Sequence, residues 1–215
     1  MKRKDFLVKI HGYVCSDGGI YSWKCKDVHG NKLRIRRKLR TKFYNKEKLL
    51  IDDFIQAIKR AYPHIKSLRY YPKRIEVEVR NNTLSKEILS FGKVWSHNWE
   101  FPKNLTDNQK KIWIRAFSDS EGTVNNKNYD RYVALDSVNL NGLKTVSDIL
   151  SEFGITNKIY WFEKSRRARI KVRGKDNLLK FSNLIGFTHP EKQAKLTNAI
   201  GSFKQNNLKT IQNTL

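Results

Sequence analysis

A helical stretch ending in an acid and a glycine occurs twice in this chain. The first copy reads Ile10-His11-Gly12-Tyr13-Val14-Cys15-Ser16-Asp17-Gly18, and the second reads Ile114-Arg115-Ala116-Phe117-Ser118-Asp119-Ser120-Glu121-Gly122. The two terminal acids, Asp17 and Glu121, lie close to half the chain apart. In a chain of 215 residues, a repeat at that spacing predicts two similar units, each with its own core.

The residues around each copy follow one order. In the first half, Phe6, Leu7, Ile10, Tyr13 and Val14 recur at helical spacing and predict a helix over 5–17, with Gly18-Gly19 as its C-terminal cap. A hairpin is expected next, from Ile20 to Asp27 and from Lys32 to Lys42, turning at Val28–Asn31. A helix follows over Asn45–Tyr62, stopped by Pro63. Strands at 65–71 and 73–80 and a helix over Thr83–Phe91 complete the half. The second half repeats the series with a helix over Asp107–Ser120 capped by Gly122, a hairpin over 123–138 and a helix over Asn141–Phe153. Strands at 157–163 and 167–173, a helix over Asp176–Ile185 and a last helix from Pro190 to about Phe203 follow. The expectation is an α+β fold of two αββαββα repeats, 1–92 and 105–203, joined by the aromatic linker 93–104 and followed by a polar tail, 204–215. A pseudo-two-fold axis would pack the two motif helices at the centre and join the sheets into one saddle.

Charge narrows the partners. Lys and Arg number 44 against 20 Asp and Glu, a formal net charge of +24 and an isoelectric point near 10.1. Self-repulsion of that size is relieved by a polyanion, with nucleic acid first and an anionic membrane second. No run approaches the ~20 apolar residues that span a bilayer, and the cations alternate along strands where a membrane-surface helix would gather them on one face. The basic N-terminus is not followed by a signal-like apolar segment, so a cytoplasmic, intracellular protein is expected. Cys15 and Cys25 are the only cysteines, too few for a structural zinc site.

On these two motifs the chain resembles the LAGLIDADG homing endonuclease family, in its single-chain, two-motif form. The acid–glycine ends match the family pattern best. His11 and Arg115 stand where that family prefers a small residue, and Ala116 where it usually has Gly. The resemblance covers about residues 5–203 and implies a monomeric pseudo-dimer that cuts both strands of a long asymmetric DNA site. It also implies that Asp17 and Glu121 hold Mg²⁺, or another divalent cation such as Mn²⁺, with help from the backbone carbonyls of Ser16 and Ser120. Phosphodiester hydrolysis needs charge neutralisation, an activated water and a stabilised leaving oxygen, and carboxylate-bound hard cations supply all three. The plain alternative is a pair of solvated helix-end acids. By the same resemblance, Lys192 and Lys42 stand near the metals as catalytic cations, with Lys103 matching Lys192 in the first half. Asp119 falls off the helix tip and is expected to form a structural hydrogen bond.

Alternation along the strands predicts the DNA-facing set: Lys24, Lys26, Arg34, Arg36, Lys38, Arg40, Arg74, Arg80, Arg169, Lys171 and Arg173. In this reading Tyr21, Trp23 and Cys25 turn to the core with Leu33, Ile35 and Leu39. Trp113 and Trp161 are core as well. The histidines show no zinc-ligand spacing, and His97-Asn98 lies mid-chain, so a free-standing, intron-encoded enzyme is expected. Two other functions fit the same scaffold: an intron maturase that binds RNA, and a DNA-binding regulator that does not cleave.

Overall fold

A computed structural model of the chain describes the backbone of residues 1–29, 32–127 and 130–212. It describes the side chains of the same residues except 27–34 and 204–212. The chain divides into two compact units, Met1–Gln109 and Lys110–Leu215.

In the first unit, α1 (Arg3–Asp17) runs directly into β1 (Gly18–His29), which pairs antiparallel with β2 (Lys32–Tyr44). After α2 (Lys48–Ala61) come β3 (Leu68–Tyr71), β4 (Glu76–Val79) and α3 (Asn82–Phe91). The sheet order is β1-β2-β4-β3, with every pairing antiparallel. Helices cover one sheet face, as an antiparallel sheet with one solvated side requires. Val8, Ile10, Tyr13 and Val14 of α1 and Leu50, Ile51, Phe54 and Ile58 of α2 are buried with Ile20, Phe43, Val77 and Val79 of the sheet. The rings of Tyr13, Phe43 and Phe54 meet in this core at centroid distances of 5.1, 6.0 and 4.7 Å. Tyr13 Oη also donates to Asp53 (2.6 Å), which Lys9 pairs at the same distance, and this ties α1 to α2.

The second unit repeats the order. α4 (Asp107–Glu121), whose first residues belong to the first unit, is followed by β5 (Gly122–Lys127), β6 (Asp130–Ser137), α5 (Leu140–Glu152), β7 (Asn157–Phe162), β8 (Arg167–Arg173) and α6 (Lys175–Leu184). Its antiparallel sheet is ordered β5-β6-β8-β7. A seventh helix, α7 (Pro190–Gln212), has no counterpart among the described elements of the first unit and runs past the expected end near Phe203. Asn81 and Asn139 cap α3 and α5 by accepting from Leu84 N and Gly142 N, each worth about 1 kcal/mol. The α+β class and the αββαββα order are therefore as expected.

Several details differ from expectation. The strand expected over 73–80 is shorter, because 73–75 lie outside it, whereas the break between the strands expected at 157–163 and 167–173 is where the sequence places it. Pro72–Arg74 and Glu163–Ser165 form single 3₁₀ turns, each followed by a left-handed residue, Ile75 (φ 48°) or Arg166 (φ 46°). Ile75 and Arg74 thus belong to a turn, and Ile75 is 44% exposed. The segment 93–104 packs on the first unit: Val94 and Trp99 are buried, and Trp95 meets Tyr21 edge-on. Gly18 is extended (φ −138°), so it starts a strand and is not a left-handed cap. Its lack of a side chain is needed because a Cβ there would lie 2.5 Å from the Lys42 carbonyl oxygen and 2.8 Å from Val14 Cα. Gly122 repeats this, with Ser118 O at 2.3 Å.

The register also corrects the face assignment of the first hairpin. Directly opposed residues share a face. Tyr21 opposes Arg40, Trp23 opposes Lys38 and Cys25 opposes Arg36, whereas Lys24 opposes Arg37 and Lys26 opposes Ile35. Tyr21, Trp23 and Cys25 therefore lie with Arg36, Lys38 and Arg40 on the outer face. Lys24 and Lys26 lie on the opposite face, which closer to the root holds Ile20, Thr41 and Phe43. Ile35 is not core: the ribbon has left the helices behind at that point, and the side chain is 60% exposed. Trp161 is also exposed, while Trp113 is buried as expected.

Candidate active site and nucleic-acid interface

Asp17 and Glu121 are the last residues of α1 and α4, and the next residue of each chain segment begins a strand. Both acids are half-buried. The Asp17 carboxylate is oriented by Asn45, whose Nδ2 donates to Oδ2 at 2.9 Å, while Asn45 Oδ1 accepts from Glu47 N at 2.9 Å. The residues around Asn45 predict a helix there. Its observed position, in the link between β2 and α2, aims it back at an acid 28 residues earlier.

Behind each tip, motif side chains tie down the segment that follows the third helix of the unit. In the first unit, a His11 tautomer protonated on Nε2 donates to the Gly92 carbonyl (3.4 Å), and its Nδ1 faces Cys15 Sγ at 3.4 Å. Burial pushes the His11 pKa down to about 4 and the Cys15 pKa well up. In the second unit, Arg115 Nε donates to the carbonyl of Ile185. The two residues that replace a small one in the motif therefore have the same role, because each holds the carbonyl of a third-helix C-cap.

Asp119 stands at the position of Cys15. It is fully buried, and its Oδ1 accepts from the backbone N–H groups of Thr188 (2.8 Å) and His189 (3.1 Å). Burial raises its pKa against the pull of those bonds. The structural role expected for Asp119 is the one observed. By fixing 188–189, it sets the start of α7, and Lys192 in the first turn sends Nζ to the carbonyls of Asp119 (2.5 Å) and Ser120 (3.4 Å). Lys192 is thus next to the Glu121 tip.

Lys42 is held differently. Its ammonium lies 2.6 Å from Glu76 and 3.6 Å from Glu78, and only 12% of the side chain is exposed. Glu78 also pairs with Arg40 (3.2 Å) and Arg80 (2.5 Å). Burial pushes the Glu78 carboxyl up, but the Arg80 hydrogen bond and the charges of Arg80, Lys42 and Arg40 outweigh it, and the net shift is downward. Lys103 is exposed and lies near Glu100.

The outer faces of both sheets interleave cations with aromatic rings. In the first, Arg40 lies over Trp23 (5.4 Å), and Arg74, in the turn before β4, lies over Tyr71 (5.6 Å). In the second, Arg169, Lys171 and Arg173 all lie on the outer face, alternating with buried Ala168, Ile170 and Val172. Arg169 makes a two-pronged pair with Asp136 (2.7 and 2.9 Å), and Lys171 sits 4.2 Å from the Tyr132 ring centre. The side chain of Arg34 lies outside the described residues.

These donors suit a hard divalent cation. The tips offer carboxylate and carbonyl oxygens with no thiol or imidazole ligand set, and no cluster of three or more His, Cys, Asp or Glu able to hold a metal occurs among the described residues. An ion here would rely on one or two carboxylates, backbone carbonyls, water and phosphate, which is how Mg²⁺ is bound. Among the described residues, no helix is long and apolar enough to cross a membrane.

Comparison with known proteins agrees with the fold. Residues 108–186 match the family model of the LAGLIDADG-like domain. The chain superposes on the homing endonuclease I-DmoI in complex with DNA and Mn with a TM-score of 0.62 at 18% identity, over 87% of this chain and 99% of that one. With I-DmoI in complex with DNA and Ca the TM-score is 0.64, over 92% and 100% of the two chains. The N-terminal LAGLIDADG domain of DUF199/WhiA matches with a TM-score of 0.56 at 12% identity, over 86% and 83%. A DNA polymerase of Thermococcus kodakarensis is 29% identical over 116 residues, which are 49% of this chain and only 7% of the polymerase.

Proposed function

From the LAGLIDADG-like domain at residues 108–186 and the fold shared with I-DmoI, we propose that this chain is a site-specific endonuclease that cuts both strands of duplex DNA. The observation that carries the reading is the repeated tip. In both units, a helix ends in a carboxylate and passes without a loop into a strand whose sheet has a basic, aromatic outer face.

In this reading the outer faces bind the duplex, and the chain acts as a monomer on a long asymmetric site. Asp17 and Glu121 hold Mg²⁺ or Mn²⁺, with the Ser16 and Ser120 carbonyls as further oxygen donors. The bound ion supplies charge neutralisation and a more acidic water. Asn45 donates to Oδ2 of Asp17 and so orients the carboxylate. Lys192, next to Glu121, faces the phosphate charge that develops during hydrolysis, and Lys42 does so on the β2 side once phosphate competes with Glu76. A DNA-binding regulator on the same scaffold that does not cleave is the second reading. An RNA-binding maturase is the third.

The test uses a plasmid carrying the sequence formed by joining the DNA on either side of the gene. Cleavage with Mg²⁺ should be abolished by EDTA and by Asp17→Asn or Glu121→Gln, while both variants still bind the duplex in Ca²⁺. Undiminished cutting by either variant would remove its acid from the mechanism. Binding without cutting by the parent would favour the regulator, and preference for RNA over duplex the maturase.

A further inference from the structure

The β1–β2 ribbon carries cations on both of its faces. Of β2, only Thr41–Tyr44 pairs with β4, so the ribbon beyond that root has no further strand beside β2 among the described pairings. Its outer face presents Arg36, Lys38 and Arg40, with Tyr21 and Trp23 between them. Its inner face begins as core, with Ile20 and Phe43 buried, and then changes character: Lys24, Lys26 and Arg37 are all exposed on it. Lys24 and Arg37 stand directly opposite each other. Like charges so placed destabilise a strand pair. No carboxylate among the described residues pairs with Lys24, Lys26 or Arg37. Arg37 donates instead to the neutral Ser22 Oγ at 3.0 Å. The outer face differs, since Glu78 holds Arg40. The inner-face cations therefore weaken the free ribbon, with no ion pair among the described residues to offset the repulsion.

The second unit uses the equivalent face for packing. There Arg131 of β6 donates to Ser202 Oγ (2.6 Å) and lies 4.5 Å from the centre of the Phe203 ring, both on α7. Among the described residues the first unit has no helix in the place of α7, and Lys24, Lys26 and Arg37 on its ribbon face are exposed.

We propose that the two faces of this ribbon divide the work of DNA binding. The outer face reads base edges, and Lys24, Lys26 and Arg37 on the inner face grip backbone phosphates regardless of sequence. This inference rests on the duplex-binding part of the function above. A two-stranded ribbon lying in the major groove, ~12 Å wide, turns one face to the bases. Long basic side chains on the other face reach the phosphates that wall the groove, where contacts set affinity and register but not sequence preference. Because, among the described residues, the first unit has such an open face and the second covers it at Arg131, the phosphate grip is concentrated on the half-site bound by the first unit.

The test compares the parent with Lys24→Gln/Lys26→Gln/Arg37→Gln on two duplexes, one enriched by binding from a random pool and one of random sequence, in EDTA so that nothing is cut. Each lost phosphate contact lowers the slope of log affinity against log salt by about 0.9. The triple variant should therefore lose a slope of about 2–3 and weaken equally on both duplexes, leaving their affinity ratio unchanged. Arg36→Gln/Lys38→Gln should instead reduce the ratio. An unchanged slope in the triple variant, or a fall in its ratio, overturns the proposal, provided circular dichroism shows the parent fold. A parent that binds duplex without ever cutting refutes the nuclease reading alone, and a parent that binds no duplex refutes both.

Discussion

Replacing Gly122 by alanine probes the tip where helix meets strand. The added Cβ would lie 2.3 Å from Ser118 O and 2.9 Å from the Phe187 ring, against 3.4–4 Å for an ordinary contact. About 1 Å of relief is needed against a backbone atom in the last turn of α4, and Phe187 is itself buried. Overpacking of this kind costs about 1–3 kcal/mol, and a clash with backbone belongs at the upper end. For a chain of this length, about 3 kcal/mol lowers the melting temperature by roughly 6–12 °C. Gly201→Ala is the matched control. Nothing lies within 4 Å of a Cβ at that exposed position in α7, so removing a helical glycine should stabilise by up to about 1 kcal/mol. Thermal unfolding followed by circular dichroism should show shifts of opposite sign. A Gly122→Ala variant melting within about 1 °C of the parent, or a Gly201→Ala variant that falls with it, would refute the reasoning.

His11 makes the first unit sensitive to acid. Its folded pKa of about 4 lies below the ordinary 6.5, so between these values the unfolded chain takes up a proton that the folded chain refuses. Its contribution is intact above pH 6.5 and is lost as the pH falls toward 4, by about 3 kcal/mol in all. Urea unfolding at pH 7 and pH 4 should show this loss in the parent and its absence in His11→Gln; an equal loss in both would assign it elsewhere. Ile75 carries a β-branched side chain at φ 48° in an exposed turn. Ile75→Gly should therefore raise the unfolding free energy by about 1 kcal/mol, and a decrease would show that the side chain contributes more than its backbone strain costs.

The fold is legible in the sequence because each element carries a periodic apolar face and the order repeats. It is less legible where one residue breaks the period. Ile75 continues an alternating pattern with Val77 and Val79, but a 3₁₀ turn started by Pro72 ends before it and leaves it left-handed. The outer-face cations of β8 stand out because buried Ala168, Ile170 and Val172 mark the other side. The first hairpin misleads because cations occupy both faces, so charge does not mark a side. Strand parity does: a turn of two or four residues places odd positions of β1 beside even positions of β2, and so Trp23 with Lys38. The acids at the tips are visible as the ends of a repeat. Asn45, which orients Asp17, is not, because contact across 28 residues depends on how β2 returns to the helix end. Glu76 and Glu78 are visible as interruptions in a basic strand. Only the register to β2 shows that they restrain Lys42 and Arg40.

The direct passage from Asp17 to Gly18, and from Glu121 to Gly122, leaves no slack between the acid and the strand that follows it. A strand shifted by one residue would turn its outer face inward and pull the acid off its tip in the same movement. Under the proposed function, insertions at the root of either hairpin are therefore excluded. New target preferences would then arise by exchanging side chains on fixed strands, or by lengthening the hairpins at their far ends. In that reading the halves can drift apart in what they read while each acid stays fixed at the root of its strand.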